Sequence, residues 1–261
     1  MRALQIAATG MSAQQMRVEV ISNNLSNMST TGFNPRRAEF SDLHYQQMAR
    51  PGSIIAADGS VLPTGIQLGL GVRPAAVSVM LSQGALSATG GDLDLAIEGK
   101  GYLEVQLASG QTAYTRDGTL KRNEEGLIVT SDGFPVSPEI VIPDDARSIS
   151  INASGEVYTY HANTAEGQLM GQITLSGFSN AKGLEAIGSN LFLETSASGA
   201  PMTALPGQDS LGTLRQGYLE DSSVDAVQEI TELIEAQRGY ELNAKVITAA
   251  DEMLAATTQV R

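Results

Sequence analysis

The sequence predicts an α+β protein: a discontinuous terminal α-helical coiled-coil domain, an antiparallel β domain inserted between its two helices, and a connector carrying a long loop. Three observations predict it. A seven-residue apolar repeat occurs near each end of the chain. The period changes from helical to alternating in the middle third and beyond. Between the first helix and the alternating region, proline and glycine turn signals crowd together.

Residues 1–30 read as the first helix of the coiled-coil domain. Leu4, Met11, Val18 and Leu25 fall seven apart, with Ala7, Gln14, Ile21 and Met28 in a second row. Such a stripe needs a partner helix to cover it. The helix ends in a cluster of Ser, Asn, Thr and Gly from Ser22 to Gly32. These residues bond their own backbone or tolerate left-handed geometry and so compete with helix.

Residues 31–71 form the connector. Phe33, Phe40 and Tyr45 supply a few aromatics, and a long loop follows from about Gln46 to Gly65. Pro51, Gly52, Pro63 and Gly65 punctuate that loop, and a loop of this length is functional or disordered.

Residues 72–223 read as the β domain. Asp92–Ile97 and Leu169–Leu175 alternate polar with apolar, and Gly-containing turns recur at Asp117-Gly118, Glu125-Gly126, Asp132-Gly133 and Ser154-Gly155. Short strands joined by such turns imply an antiparallel sandwich or small barrel. Residues 224–261 return to a helical period without proline, with Ile230, Leu233, Tyr240, Ile247 and Leu254 on its apolar rows and Asp221-Ser222-Ser223 ahead of it as an N-cap. Val227, Ile234 and Val246 widen that apolar face beyond what one partner helix covers. Further copies of the same chain are the expected source of cover.

Composition limits the chemistry. Cysteine is absent, so disulfides and thiolate sites are excluded. The net charge of −13 divides into +1 for 1–71, −10 for 72–223 and −4 for 224–261. An acidic middle segment repels nucleic acid and anionic lipid. No run approaches a membrane span. The start of the chain only faintly resembles a secretory signal, its apolar run being broken by Gln5, so cleavage by the general secretory route is not expected.

His44 and His161 lack metal-ligand spacing, and no nucleophile elbow or phosphate-cradling glycine loop occurs. Asp92 and Asp94 are read as the outward face of a strand whose other face is Leu93, Leu95 and Ile97. Glu229, Glu232 and Glu235 are read as a solvated helix face. Neither an enzyme nor a cofactor protein is expected.

Specific stretches then become recognisable. Ile21–Phe33, with Asn23-Asn24-Leu25 and Thr31-Gly32-Phe33, resembles the signature of the bacterial flagellar basal-body rod/hook family. Ala96–Tyr102, Tyr114–Gly118, Gln216–Glu220, Glu235–Glu241 and Asp251–Leu254 are similar to its central and C-terminal motifs. Leu68–Pro74 and Gly183–Leu191 resemble the branch that builds the distal rod, with the proximal rod paralogues as the alternative. Gly239 stands where the family usually has alanine, which implies either local pliancy or a closely packed neighbour, at a propensity cost of roughly 1 kcal/mol.

The resemblance implies a homopolymer: a rigid hollow drive shaft whose terminal helices pack around an export channel and whose β domain faces outward. It implies proximal rod proteins and hook protein at the ends, and outer-membrane and peptidoglycan ring proteins around the shaft. It further implies export by the flagellar type III apparatus without a cleaved signal, a basal-body location spanning the periplasm, no nucleic acid and no direct membrane insertion.

The assembly residues it points to are Leu4, Met11, Val18, Ile21, Leu25, Met28, Ile230, Leu233, Tyr240, Ile247 and Leu254. Pro51, Gly52, Pro63 and Gly65 mark a rod-straightening loop. The competing reading is a secreted β-domain binding module on a helical stalk, which requires a ligand-sized pocket within 72–223. The sequence shows neither an aromatic cluster nor a polar constellation to line one.

Overall fold

The computed structural model describes residues 2–49, 64–161 and 166–259. The chain forms two compact units. The first comprises Met1–Ser26, Arg36–Val79 and Asp225–Arg261; the second comprises Asn27–Pro35 and Met80–Val224.

In the first unit, α1 (Arg2–Ser26) lies against α2 (Ala226–Gln259), and β1 (Arg36–Asp42) pairs antiparallel with β4 (Val72–Val79). Between them, β2 (Tyr45–Ala49) pairs with β3 (Ile66–Gly69) as a two-stranded ribbon. The cap of α2 is Asp225, whose Oδ1 accepts from Val227 N at 2.9 Å and Gln228 N at 3.2 Å. It satisfies two of the donors a helix start leaves open. The cap therefore sits downstream of Asp221-Ser222-Ser223, because an N-cap must lie directly ahead of the first turn.

Two sequence expectations shift here. The segment 31–71, read as a connector, carries three strands. The strand read as opening the β domain, β4, pairs back onto β1, with Arg36 opposite Val79 and Asp42 opposite Val72. Arg36–Asp42 is mixed in polarity, so its strand character depends on a partner about forty residues away and not on local alternation.

The second unit is antiparallel β throughout. Its largest sheet runs from edge strand Glu185–Gly188 through Leu191–Leu193, Thr112–Thr115, Tyr102–Gln106 and Leu175–Gly177 to edge strand Met202–Ala204, with Val136–Ser137 added against Tyr102–Gln106. A second sheet pairs Ala146–Ile151, Glu156–His161 and Gln168–Gln172 in order. Leu95, Ile97, Leu103, Val105, Ile128, Ile142, Val157, Ile173 and Leu175 are among the buried side chains of the core between them.

The two alternating runs behave differently from their pattern. Leu95, Ala96 and Ile97 are all buried, because the strand Leu95–Glu98 is covered on both faces. Leu169–Leu175 is divided between two sheets, the first strand ending at Gln172 and the next starting at Leu175.

Candidate assembly site

Within the first unit, contacts between α1 and α2 run in opposite directions along the two helices. Asn24 meets Glu229, Arg17 meets Glu232 and Glu235, Gln14 lies against Gly239, and Gly10 lies against Asn243. The helices are thus an antiparallel pair. Ala7, Ala13, Ile21 and Asn24 are buried on α1, and Ala236 and Ala250 on α2; Ile21 is the one large apolar side chain among them.

The approach is close at two glycines. A Cβ at Gly239 would stand 3.1 Å from Gln14 Cδ, and one at Gly10 would stand 2.9 Å from Asn243 Nδ2. Of the two implications of Gly239, close packing by a neighbour is the one on view, and that neighbour is Gln14.

Asn24 is the polar centre of this unit, 1% exposed. Its Nδ2 donates to Arg36 O at 2.8 Å and to Glu229 Oε1 at 3.0 Å, while its Oδ1 accepts from Arg36 N at 2.8 Å. One side chain thereby completes the hydrogen bonding of a β-strand residue and ties α1, β1 and α2 together. A buried polar group is tolerable only when satisfied in this way. Burial is the main cause pushing the Glu229 carboxyl above the ordinary carboxylate range; the Asn24 hydrogen bond opposes it, and Glu232 and Asp225 add to it. Of the three glutamates read as a solvated face, Glu229 and Glu232 are half-buried and bond Asn24 and Arg17 of α1, while Glu235, 3.7 Å from Arg17, remains exposed.

The sequence-derived assembly residues differ in burial. Ile21 is buried; Leu4, Met11, Val18, Leu25, Leu233 and Ile247 are half-buried. Met28, Ile230, Tyr240 and Leu254 are exposed, and Met28 lies past the end of α1, in the second unit. Of the loop residues, Pro51, Gly52 and Pro63 lie outside the described residues, and Gly65 directly precedes β3. The residues sequence reasoning missed in the seam, Gly10, Arg17, Asn24 and Asn243, are not apolar. Their signal was their place seven apart, Gly10–Arg17–Asn24, one position behind the Met11–Val18–Leu25 row.

The second unit has its own polar knot. Arg116 donates to Glu220 Oε2 at 2.6 Å, to Gly101 O at 3.2 Å and to Gly99 O at 2.8 Å. Glu220 Oε1 accepts from Gly84 N at 2.9 Å, and Glu220 O accepts from Gly32 N at 2.8 Å. Gly32 has φ +65°, and a Cβ there would stand 3.0 Å from Arg116 O, so glycine is required on both counts. Segments far apart in sequence, around 32, 100, 116 and 220, meet at one nearly dry ion pair.

Beside this knot lies a cavity of about 540 Å³ lined by Leu81, Tyr102, Phe178, Met202 and Leu211, with Arg116 at its wall. Tyr102, Tyr114, Phe178 and Phe192 stack edge-on, with ring centroids 4.8–6.0 Å apart. The sequence showed no aromatic cluster because these rings come from separate strands and loops. Two of the polar groups at the wall are already engaged: Arg116 as above, and the Gln83 amide on Gly99 N and Ile97 O.

Comparison with known proteins places these knots in a lineage. Residues 4–34 match the family described as flagella basal body rod protein. Residues 96–159 match the flagellar hook protein FlgE/F/G D1 domain, and residues 215–260 match the C-terminal domain of flagellar basal body rod FlgEFG proteins. The chain is 54% identical over 261 residues, the whole of both chains, to flagellar basal-body rod protein FlgG of Caulobacter vibrioides.

The chain belongs to the flagellar basal-body rod protein family. FlgG of Agrobacterium fabrum is 49% identical over 97% of each chain, and FlgG of Bacillus subtilis is 40% identical over 97% of each. As a member of the rod family the protein is a structural subunit of the flagellar basal body and not an enzyme. Among the described residues, no helix is long and apolar enough to cross a membrane. The rod-family motifs map onto the two polar knots: Asn24 belongs to the first, and Gly32, Gly99, Gly101, Arg116 and Glu220 to the second. Their chemistry is to hold distant segments in register.

Proposed function

We propose that this rod-family chain polymerises into the distal rod, a straight hollow shaft that carries torque towards the hook and passes exported subunits through its centre. The observation that carries the reading is the apolar face of α2. Val227, Ile230, Ile234, Leu242, Val246 and Met253 remain 44–76% exposed when α1 is already paired with α2. A surface helix with so much uncovered apolar side chain is a subunit contact in waiting. In this reading the α1–α2 pair packs as a coiled coil with those of neighbours, and the acidic second unit faces outward.

The partners follow from the same reading: proximal rod proteins and hook protein at the ends, the peptidoglycan and outer-membrane rings around the shaft, and the type III apparatus for export. The β2–β3 ribbon flanks the segment expected to straighten the rod, and Tyr45, Met48, Ile66 and Leu68 on it are exposed. An isolated two-stranded ribbon is marginal in water, which supports its docking on a neighbour to keep the shaft straight.

Sedimentation velocity with far-UV circular dichroism, over a concentration series of the full chain and a 31–223 fragment, tests assembly. Large polymers gaining helix, with a monomeric fragment, are expected. Deleting 51–65 is expected to give curved or flexible tubes, and straight tubes from that deletion would remove the loop's role.

The 540 Å³ cavity favours the binding-module reading. A fully helical chain that stays monomeric at every concentration would bring that reading forward.

A further inference from the structure

The uncovered apolar residues of α2 do not form one stripe. The side of α2 that faces α1 is marked at seven-residue intervals by Glu229, Ala236, Asn243 and Ala250. At roughly 100° per residue, Val227, Ile230 and Ile234 stand roughly 100–160° from the nearest of these, all on one side. Counted the same way, Leu242, Val246 and Met253 stand roughly 60–100° away on the opposite side.

Val227, Ile230 and Ile234 lie in the first half of the helix and Leu242, Val246 and Met253 in the second, while exposed Tyr240 and Leu254 stand roughly 40–60° from the seam markers on the first side. In the first half the second flank carries Gln228 and Glu235. In the second half the first flank carries Glu241, Thr248 and Asp251. On the first side, half-buried Leu233 and Ile247 stand between the seam and the outer flank, roughly 40–60° from the seam markers.

The two patches lie in different halves of the helix and stand roughly 100–160° apart around it, so a partner seated squarely on one leaves the other in water. A two-fold dimer would pair one patch with itself and leave the other in water. Copies related by a shift along and beside the helix solve both at once, because a patch facing one way on the first copy meets a patch facing back on the next.

We propose that the Val227–Ile230–Ile234 patch of one copy seats against the Leu242–Val246–Met253 patch of the next, head to tail. This inference rests on the homopolymer reading and deepens it. Neighbouring α2 helices then run parallel. Their stagger is the axial distance between the patch centres, Ile230 and Val246, about 24 Å at 1.5 Å per residue. A heterologous contact of this kind does not close on itself and therefore propagates into a filament.

The chain has no cysteine, so engineered thiols report cleanly. Full-length chains carrying Ile230→Cys, Val246→Cys or both are assembled, checked for tubes by electron microscopy, oxidised and run on denaturing gels without reductant. In one chain the two thiols are about 24 Å apart on a helix and cannot pair. The double variant is expected to give a ladder of covalent oligomers, and each single variant only monomer. Tubes in which Ile230→Cys alone forms dimers, or in which the double variant gives no ladder, overturn the head-to-tail contact and leave the rod reading standing. A double variant that stays monomeric, with its helices formed, at concentrations where the unsubstituted chain also forms no tubes overturns both. If isolated basal bodies are needed to nucleate assembly, the same gel on basal bodies carrying the double variant reads the same ladder.

Discussion

Asn24 Nδ2 and Glu229 Oε1 stand 3.0 Å apart, a polar tie between the first and last helices of a chain in which 204 residues separate them. The same amide spans both main-chain groups of Arg36, so α1, α2 and β1 share one hydrogen-bonding node.

Replacing Asn24 with alanine removes three hydrogen bonds and leaves the Arg36 N–H and C=O without that partner. Each orphaned buried group costs about 1–3 kcal/mol. Asn24→Ala is expected to lower stability by roughly that amount or more, read from urea unfolding followed at 222 nm. An unchanged midpoint would mean that water replaces the amide and that the node is dispensable.

Glu229 makes stability depend on pH. Its folded pKa is raised, chiefly by burial, so the folded state takes up a proton more readily than the unfolded chain, whose value is about 4.5. Its favourable contribution is complete below about pH 4.5 and is lost as pH rises through the folded value. Glu229→Gln keeps an acceptor for Asn24 and removes the charge. At pH 7 the variant is expected to melt at or above the wild-type temperature, with the difference shrinking towards pH 4. A variant less stable at pH 7 would show that the charge itself strengthens the Asn24 bond more than burial penalises it.

Gly239→Ala sets helix propensity against crowding. Alanine in a helix interior is worth about 1 kcal/mol over glycine, but the new Cβ would lie 3.1 Å from Gln14 Cδ. The single variant is expected to gain well under that amount. In a Gln14→Ala background the same change should recover nearly all of it, a coupling that a double-mutant cycle by chemical denaturation reads directly. Equal gains in both backgrounds would show that Gln14 moves aside without penalty.

Arg116→Ala breaks the ion pair of the second unit. Arg116 and Glu220 side chains are 10% and 3% exposed, and stranding one member of such a pair costs about 3–5 kcal/mol. The loss is expected in the full chain and to be smaller for Glu220→Gln, which keeps acceptor geometry for Gly84 N. Thermal or urea unfolding compares the two, and a neutral Arg116→Ala would show the knot to be peripheral.

The period of the sequence determined a good deal. The helical repeat over Leu4–Leu25 and Ile230–Leu254, and the recurring Gly turns between them, carry the α+β class, because burying one side of a helix or strand imposes 3.6- or 2-residue spacing on the residues themselves. Short motifs around Asn24, Gly32, Arg116 and Glu220 carried the family resemblance.

Only the tertiary structure decided which residues meet. Apolar spacing marked Met11, Val18 and Leu25, but polar ties and close approaches between the helices involve Gly10, Gln14, Arg17 and Asn24, whose size and complementary polarity apolar periodicity does not report. β1 and β4 are strands because they found each other across the loop, and a strand's hydrogen bonds lie wholly outside its own segment. The same holds for the Arg116–Glu220 pair and the four-ring cluster, which are set by distances in space between parts of the chain that carry no local sign of one another.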